Sequence, residues 1–515
     1  MIHASPLPTV EIPAVPLTDY VLQHAERLAD KPALIDGPSG RTLTYAELAG
    51  GIAALAGGLQ AQGFGRGHVL AILAPNLPEY AIVFHGVARA GGTVTTINPT
   101  YTAHEVQHQL QDAGATILVT IGMFLETARE AIEGTKVDRI ITIDPVKGVD
   151  DLQSLFGPPL TEQVDIDLND TVVMPYSSGT TGLSKGVELT HRNLVANIAQ
   201  TLSPAEFGEG ETFVAVLPFF HIYGMQVMMN CGLVAGATIV TLPRFEFEQF
   251  LTVHQDYGIT RSFVAPPIVV AFAKHPLVDR FDLSALQQVF SGAAPLSAEL
   301  AIEAGNRLGC EVVQGYGMTE LSPVSHLTPV GEVKAGSVGV TAPNTETAIV
   351  DPETGAFLGL DEDGEVWVRG PQVMKGYLNN AEATSSTIDA DNWLHTGDVG
   401  HIDSDGHLYI VDRLKELIKY KGFQVPPAEL EAVLLTHPAV ADAAVIGQPD
   451  DEAGEVPIGF VVRKPGVEAT AEEIIAFAAD DVATFKRLYS ITFVDEIPKS
   501  ASGKILRRVL RDDHL

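Results

Sequence analysis

Cysteine is nearly missing from this chain: Cys231 and Cys310 are the only two among 515 residues. Two thiols far apart in apolar surroundings build no disulfide framework, so they read as reduced packing residues. Basic residues are scarce too, with 32 Lys plus Arg against 65 Asp plus Glu, a formal net charge of −33. Such a surface repels nucleic acid and anionic membrane, which speaks against both as partners. It also makes any lysine placed near an anionic ligand conspicuous. The longest apolar stretch, residues 227–242, is interrupted by Asn230 and falls short of the roughly 20 residues a membrane span needs. The start carries Glu11, Asp19 and Glu26 with no basic-then-apolar pattern, and the end, Asp-Asp-His-Leu, is no peroxisomal address. A cytoplasmic protein without stable membrane insertion is expected. The Gly-x-x-x-x-Gly-Lys-Ser/Thr spacing of a Walker loop is lacking, as is any repeat that would signal a solenoid.

What is present exceeds one core. At 515 residues, 46% hydrophobic and 19% charged, the chain has globular composition and length for two or more domains. Short β-branched runs such as Val69–Leu73, Thr116–Thr120 and Ala237–Thr241 alternate with helical patterns such as Tyr45–Gln62. That alternation predicts α/β layers with mainly parallel sheets. From about Pro352, turns at Gly355, Asp363-Gly364 and Asp405-Gly406 separate short strands, which predicts a small antiparallel β unit. A new α+β segment begins after Asp412-Arg413-Leu414-Lys415.

Five clusters carry chemistry. The first, Tyr176-Ser-Ser-Gly-Thr-Thr-Gly-Leu-Ser-Lys-Gly186, follows the buried-strand pattern Thr171–Pro175. Its glycines let backbone N–H groups turn toward an anion, its hydroxyls add donors, and Lys185 supplies charge; the target is a polyphosphate. In the second, Val313-Gln-Gly-Tyr-Gly-Met-Thr-Glu320, Tyr316 offers a stacking face for a purine. Thr319 can donate to a phosphate, and Glu320 can hold Mg²⁺ on it. The third is Trp393-Leu-His-Thr-Gly-Asp398, whose aspartate suits ribose hydroxyls, with Arg413 beyond. The fourth and fifth are basic: Lys415-Glu-Leu-Ile-Lys-Tyr-Lys-Gly-Phe-Gln-Val425 and Pro498-Lys-Ser-Ala-Ser-Gly-Lys-Ile-Leu-Arg-Arg508. Arg507 and Arg508 read as a solvated charged face or a helix terminus.

In this order and over nearly the whole chain, the five clusters resemble those of the adenylate-forming acyl-CoA synthetases. Ser291-Gly-Ala-Ala-Pro-Leu296, Phe220-His-Ile-Tyr223 and Lys419-Tyr-Lys-Gly-Phe-Gln424 are most similar to the 4-coumarate/cinnamate–CoA ligase group of actinobacterial type. The resemblance implies an α/β fold. A large N-terminal domain (1–413) of layered α/β subdomains with a small β-barrel unit would precede a small mobile α+β domain (414–515). It implies a two-step reaction of ATP, a carboxylic acid and CoA, run by a monomer or homodimer. Ser177, Ser178, Gly179, Thr180, Thr181 and Lys185 would hold the ATP phosphates, with Mg²⁺ on Glu320. Gln314, Gly315, Tyr316 and Thr319 would flank the AMP, and Asp398 and Arg413 the ribose. Lys504 would stabilise charge during adenylation, Lys415 would be the hinge, and Lys419 and Gln424 would serve the second step. Lys421, Gly422 and Arg244 would lie along CoA. His221, Tyr223, Val227, Ala293 and Leu327 would form the acyl pocket, His221 positioning or deprotonating a nucleophile.

Three departures from the family pattern stand out. Val227 replaces a serine of the plant coumarate ligases, Leu321-Ser322 replaces a small Ala-Gly pair, and Ser184 replaces a proline of the phosphate loop. Losing the hydroxyl at 227 favours cinnamate over its phenolic analogue, since a buried unpaired phenol costs roughly 1–3 kcal/mol. The rival readings are an amide-forming ligase, a medium-chain fatty acyl-CoA synthetase and a non-catalytic nucleotide binder. A zinc peptidase is also open, from His104-Glu-Val-Gln-His108, whose two histidines share one helix face.

Overall fold

Two largely parallel sheets dominate the structure, and each takes a strand from a distant part of the chain. The computed structural model describes residues 1–160, 164–177, 184–421, 423–450, 453–500 and 503–515. An eight-stranded sheet is built around the parallel strands Val69–Leu73, Thr93–Thr96, Ile117–Thr120 and Arg139–Thr142. Thr171–Ser177 adds to it in parallel, and Lys185–Thr190 returns antiparallel. Its edge strand, Gly376–Tyr377, comes from far along the chain. A nine-stranded sheet holds Thr212–Ala215, Thr238–Thr241, Arg261–Val264, Gln288–Ser291 and Glu311–Gly317 in parallel. Pro32–Asp36 and Thr42–Thr44, from near the N-terminus, complete one side of it. Fully buried Phe84, Phe213, Phe250 and Phe263 belong to one core that spans both sheets.

Helices begin where the sequence supplies caps. Thr44 and Glu47 satisfy each other's backbone N–H at the start of Tyr45–Ala61, as Thr190 and Asn193 do for His191–Ala205. The same device disposes of the zinc signature. His104 and His108 lie on the helix Ala103–Ala113, but the intervening Glu105 closes a capping box with Thr102. Among the described residues no group of three His, Cys, Asp or Glu could hold a metal. The apolar stretch 227–242 is divided between a π-helix (Tyr223–Asn230), a helical turn (Cys231–Ala235) and the strand Thr238–Thr241. No helix of the described residues is long and apolar enough to cross a membrane.

The antiparallel unit has five strands: Ile2–Ala4, Glu346–Val350, Gly364–Arg369, Leu394–Ile402 and Leu408–Arg413. After Arg413 a turn leads to Ile418–Tyr420, the first strand of a different sheet with its own core, including Val425, Leu430, Leu434 and Val461. Arg507 departs from the expected solvated face. It opens the last helix, Arg507–His514, with its side chain only 12% exposed, and donates to both oxygens of Glu431 at 2.9 and 2.8 Å. Arg508 is 73% exposed, as expected. Consecutive helical residues point about 100° apart, so one of a basic pair can be buried while the other is solvated.

Candidate active site

The first two candidate clusters lie toward the C-terminal ends of parallel strands, where open α/β sheets bind their ligands. Ser177 and Ser291 close their strands, Gln314 is the last residue of its strand to pair in parallel, and Arg244 lies exposed just past Thr241. Ser178, Gly179, Thr180 and Thr181 lie outside the described residues, as does Gly422. The flanks of that loop are fixed by pairing of Lys185 opposite Ser177. Ser184, in place of the family's proline, is half-buried at the far end of that loop.

Glu320 sits in the single turn Thr319–Leu321, 5% exposed. The hydroxyls of Ser177 and Tyr377 both donate to its Oε1, at 3.0 and 2.8 Å. Among the described residues no hydrogen bond falls on Oε2. One buried carboxylate with a spare oxygen suits Mg²⁺, which takes one or two carboxylates and completes its shell with phosphates and water. Thr319 lines a small polar cavity with Thr96, Asn98, Tyr176 and His221.

Asp398 and Arg413 face each other across two antiparallel strands, Nε to Oδ1 3.3 Å. The Tyr316 hydroxyl donates to the other oxygen of Asp398 at 2.6 Å, which fixes the plane of the ring. Burial and the Asp398 charge push that phenol well up, so it remains a donor. Gly315 admits no side chain, since a Cβ there would stand 2.5 Å from Phe290. Gln314 is spent as a brace. Its side-chain amide exchanges two hydrogen bonds with the backbone of Leu296, and its backbone carbonyl accepts from the Thr328 hydroxyl.

His221 is chemically narrower than its sequence context implied. Its Nδ1 accepts the backbone N–H of Tyr223 at 3.2 Å. Burial, followed by the nearby Lys504 charge, holds its pKa down to about 4. The ring is therefore neutral with its proton on Nε2, a donor that can position an oxygen; the alternative role of base is not available in this arrangement. Tyr223 and Val227 ride on the π-helix, a conformation frequent at functional sites. The Tyr223 ring packs on Gly292, where a Cβ would come within 2.8 Å, and its hydroxyl donates to the Phe290 carbonyl. Val227 and Leu327 are buried in the same apolar cluster, while Ala293 is exposed at φ +72°. Ser322 also has φ +72°, which shows why glycine suits that position in relatives. Its hydroxyl donates to the Gln372 carbonyl at 2.8 Å.

Among the described residues, the C-terminal segment presents Lys504 toward this cleft and leaves Lys419 exposed. Gly503 packs on the large part of the chain, where a Cβ would stand 3.0 Å from Ala265. Beside it Lys504 is drawn down to about 8, first by burial and then by Arg413, against the pull of Asp398. Lys419 and Gln424 lie opposite each other on the two antiparallel strands at the edge of their sheet, and both are exposed, as are Lys415 and Lys421. Sequence reading missed Tyr377 and the pair Asp112–Asn379. Asp112 accepts from the Tyr176 hydroxyl at 2.7 Å and from Asn379 at 3.3 Å. In the sequence Gly376-Tyr377 is only a tyrosine beside a glycine; its burial and its partners are seen only in the structure.

A family model described as AMP-binding enzyme matches residues 21–378, and one described as AMP-binding enzyme C-terminal domain matches residues 429–504. The chain belongs to the AMP-binding enzymes. Among relatives in this family it is 44% identical to 4-coumarate-CoA ligase 1 of Narcissus pseudonarcissus, covering 99% of this chain and 96% of that one. Among solved structures it is similar to the anthranilate CoA ligase AuaEII in complex with anthranoyl-AMP, with a TM-score of 0.90, 26% identity and 98% of each chain covered. The amide bond synthetase McbA from Marinactinospora thermotolerans is similar at a TM-score of 0.85 and 27% identity, covering 96% of this chain and 100% of that one. Two acceptor chemistries thus share one fold, and the choice between them lies in the site.

Proposed function

We propose that this AMP-binding enzyme is an AMP-forming acid–CoA ligase. A carboxylate oxygen attacks the α-phosphorus of ATP, giving an acyl-adenylate and pyrophosphate. The CoA sulfur then attacks the carbonyl carbon and AMP leaves. The carrying observation is that Lys504 is half-buried within electrostatic reach of His221, Asp398 and Arg413, while Lys419 and Gln424 are exposed. One cleft and two alternative basic faces suit two half-reactions. We place the domain division at 413/414, with Lys415 as the hinge about which the second face would turn inward.

In the first step Lys504 would offset charge on the carboxylate and α-phosphate, Lys185 would meet the outer phosphates, and His221 would donate from Nε2 to an acyl oxygen. Glu320 would hold Mg²⁺, which neutralises phosphate charge when bound. Gly315 and Tyr316 would flank the AMP through backbone approach and ring face, and Asp398 would take the ribose hydroxyls. In the second step Lys419 and Gln424 would replace Lys504 at the carbonyl, with Lys421, Gly422 and Arg244 along CoA. Two free cysteines are consistent with a cytoplasmic setting.

The acid we favour is cinnamate or 4-coumarate. The 44% identity to a 4-coumarate-CoA ligase and the aromatic wall of Tyr223 and Phe290 support it, and apolar Val227 favours the unhydroxylated ring. A panel of carboxylates assayed for ATP- and CoA-dependent thioester is the test. Adenylate formation followed by turnover with amines and not with CoA would make the protein an amide ligase. Octanoate outperforming both aryl acids by about tenfold in kcat/KM, about 1.4 kcal/mol, would overturn the aryl assignment.

A further inference from the structure

Lys185 and Glu320 carry opposite charges beside the same loop, yet among the described residues neither forms an ion pair. Tyr377 accounts for this. Its hydroxyl donates to Glu320 Oε1 at 2.8 Å, and its ring lies under Lys185, whose Nζ is 4.7 Å from the ring centroid. The tyrosine itself is pinned. Its strand pairs with Lys185–Thr190 through Val187, and its N–H donates to Thr384 at 2.9 Å. A rigid ring thus separates ammonium from carboxylate and orients both. Two donors on one carboxylate oxygen lock its rotation, and the second oxygen is left for a cation. A cation–π contact holds the ammonium without neutralising it.

We propose that Tyr377 is a positioning residue that keeps Lys185 and Glu320 apart and aimed, one at phosphate oxygens and the other at the magnesium that accompanies them. This rests on the reading of Glu320 as the Mg²⁺ carboxylate. The hydroxyl and the ring face do separable jobs, and two substitutions separate them. Tyr377→Phe keeps the ring and loses the hydroxyl; Tyr377→Leu loses both.

The test is calorimetric titration of ATP into the full-length protein, without acid or CoA, over a series of Mg²⁺ concentrations. For Tyr377→Phe the Mg²⁺ concentration giving half of the affinity gain should rise roughly tenfold to hundredfold, the range for removing a partner of a metal ligand. Its Mg²⁺-free ATP affinity should stay within about twofold of the parent, because that ligand set is otherwise intact. Tyr377→Leu should show the same Mg²⁺ shift and also weaker Mg²⁺-free binding, because Lys185 loses its platform. Glu320→Gln is the reference. If it binds ATP with unaltered Mg²⁺ dependence, the assignment of Glu320 fails and the inference falls with it. If Glu320→Gln shifts the dependence and Tyr377→Phe does not, the Glu320 reading stands and the role given to Tyr377 is refuted. Equal Mg²⁺-free affinities for the Phe and Leu variants would remove the ring's share.

Discussion

Lys504 enters the cleft against its own charge. Its fall from the ordinary 10.5 to about 8 corresponds to about 3 kcal/mol disfavouring the ammonium in the docked pose. The sign follows from linkage. Below pH 8 both docked and undocked lysine are charged, so docking bears the whole penalty. Between 8 and 10.5 the penalty shrinks, and above 10.5 it is gone. At neutral pH the penalty is offset only when anions, the substrate phosphates and carboxylate, share the cleft. Occupancy and closure are thereby coupled. Lys504→Met, which retains an apolar stem without charge, should do two opposite things. Adenylation, read as pyrophosphate release, should fall by roughly 10²–10³, the scale for losing one preorganised charge-stabilising donor. The ligand-free docked pose should become more stable, so proteolysis near Lys415 at pH 7 should slow. Thioester formation from supplied acyl-adenylate should survive. In the parent, kcat/KM for adenylation should decline as pH rises through about 8, whereas kcat should decline at higher pH because bound anions restore the charged form. Pyrophosphate release within tenfold of the parent, or equal loss of both half-reactions, would refute this account.

The outward face supplies the complementary case: Lys419→Ala should release pyrophosphate normally, accumulate acyl-adenylate and lose thioester formation in single-turnover assays. Val227→Ser should raise the 4-coumarate to cinnamate ratio of kcat/KM, by about tenfold if the new hydroxyl pairs with the phenol; an unchanged ratio would remove Val227 from the pocket. Gly292→Ala would force a methyl to 2.8 Å from the Tyr223 ring, so a loss of about 1–3 kcal/mol in denaturant unfolding and a selective rise in KM for the acid are expected. Arg507→Ala strands the buried Glu431 carboxylate and should cost about 3–5 kcal/mol, seen as an earlier melting transition.

Local pattern carried much of this architecture. The run Val69–Leu73 is a strand with the bounds its β-branched residues suggest, and the helix opened by Thr44 and Glu47 starts where its capping box lies. Five motifs single out a candidate site by their order along the chain more than by their separate compositions, since a turn such as Thr396-Gly-Asp398 is ordinary by itself. Legibility ended where a residue's role depends on a distant partner. Nothing near Arg507 announces Glu431, nothing near Tyr377 announces Glu320, and Ile2–Ala4 gives no hint that it pairs with Glu346–Val350. The state of His221 was hidden for a different reason. It depends on one backbone N–H and on burial, neither of which spacing records.

The distant strands that complete the two large sheets also bear on how the chain is made. Lys185–Thr190 leaves the ribosome long before its outer partner Gly376–Tyr377, and Pro32–Asp36 waits for Thr238–Thr241. Neither sheet can be completed from one contiguous stretch, so loop closure between distant segments must precede the final pairing, a slow route for any chain. The nucleotide corner is thus among the last parts to form during synthesis. A nascent fragment ending before residue 376 would carry the whole phosphate motif and still lack the tyrosine that aims it. Such fragments would expose the unpaired edge of Lys185–Thr190 and be prone to aggregation, and ATP should not rescue them.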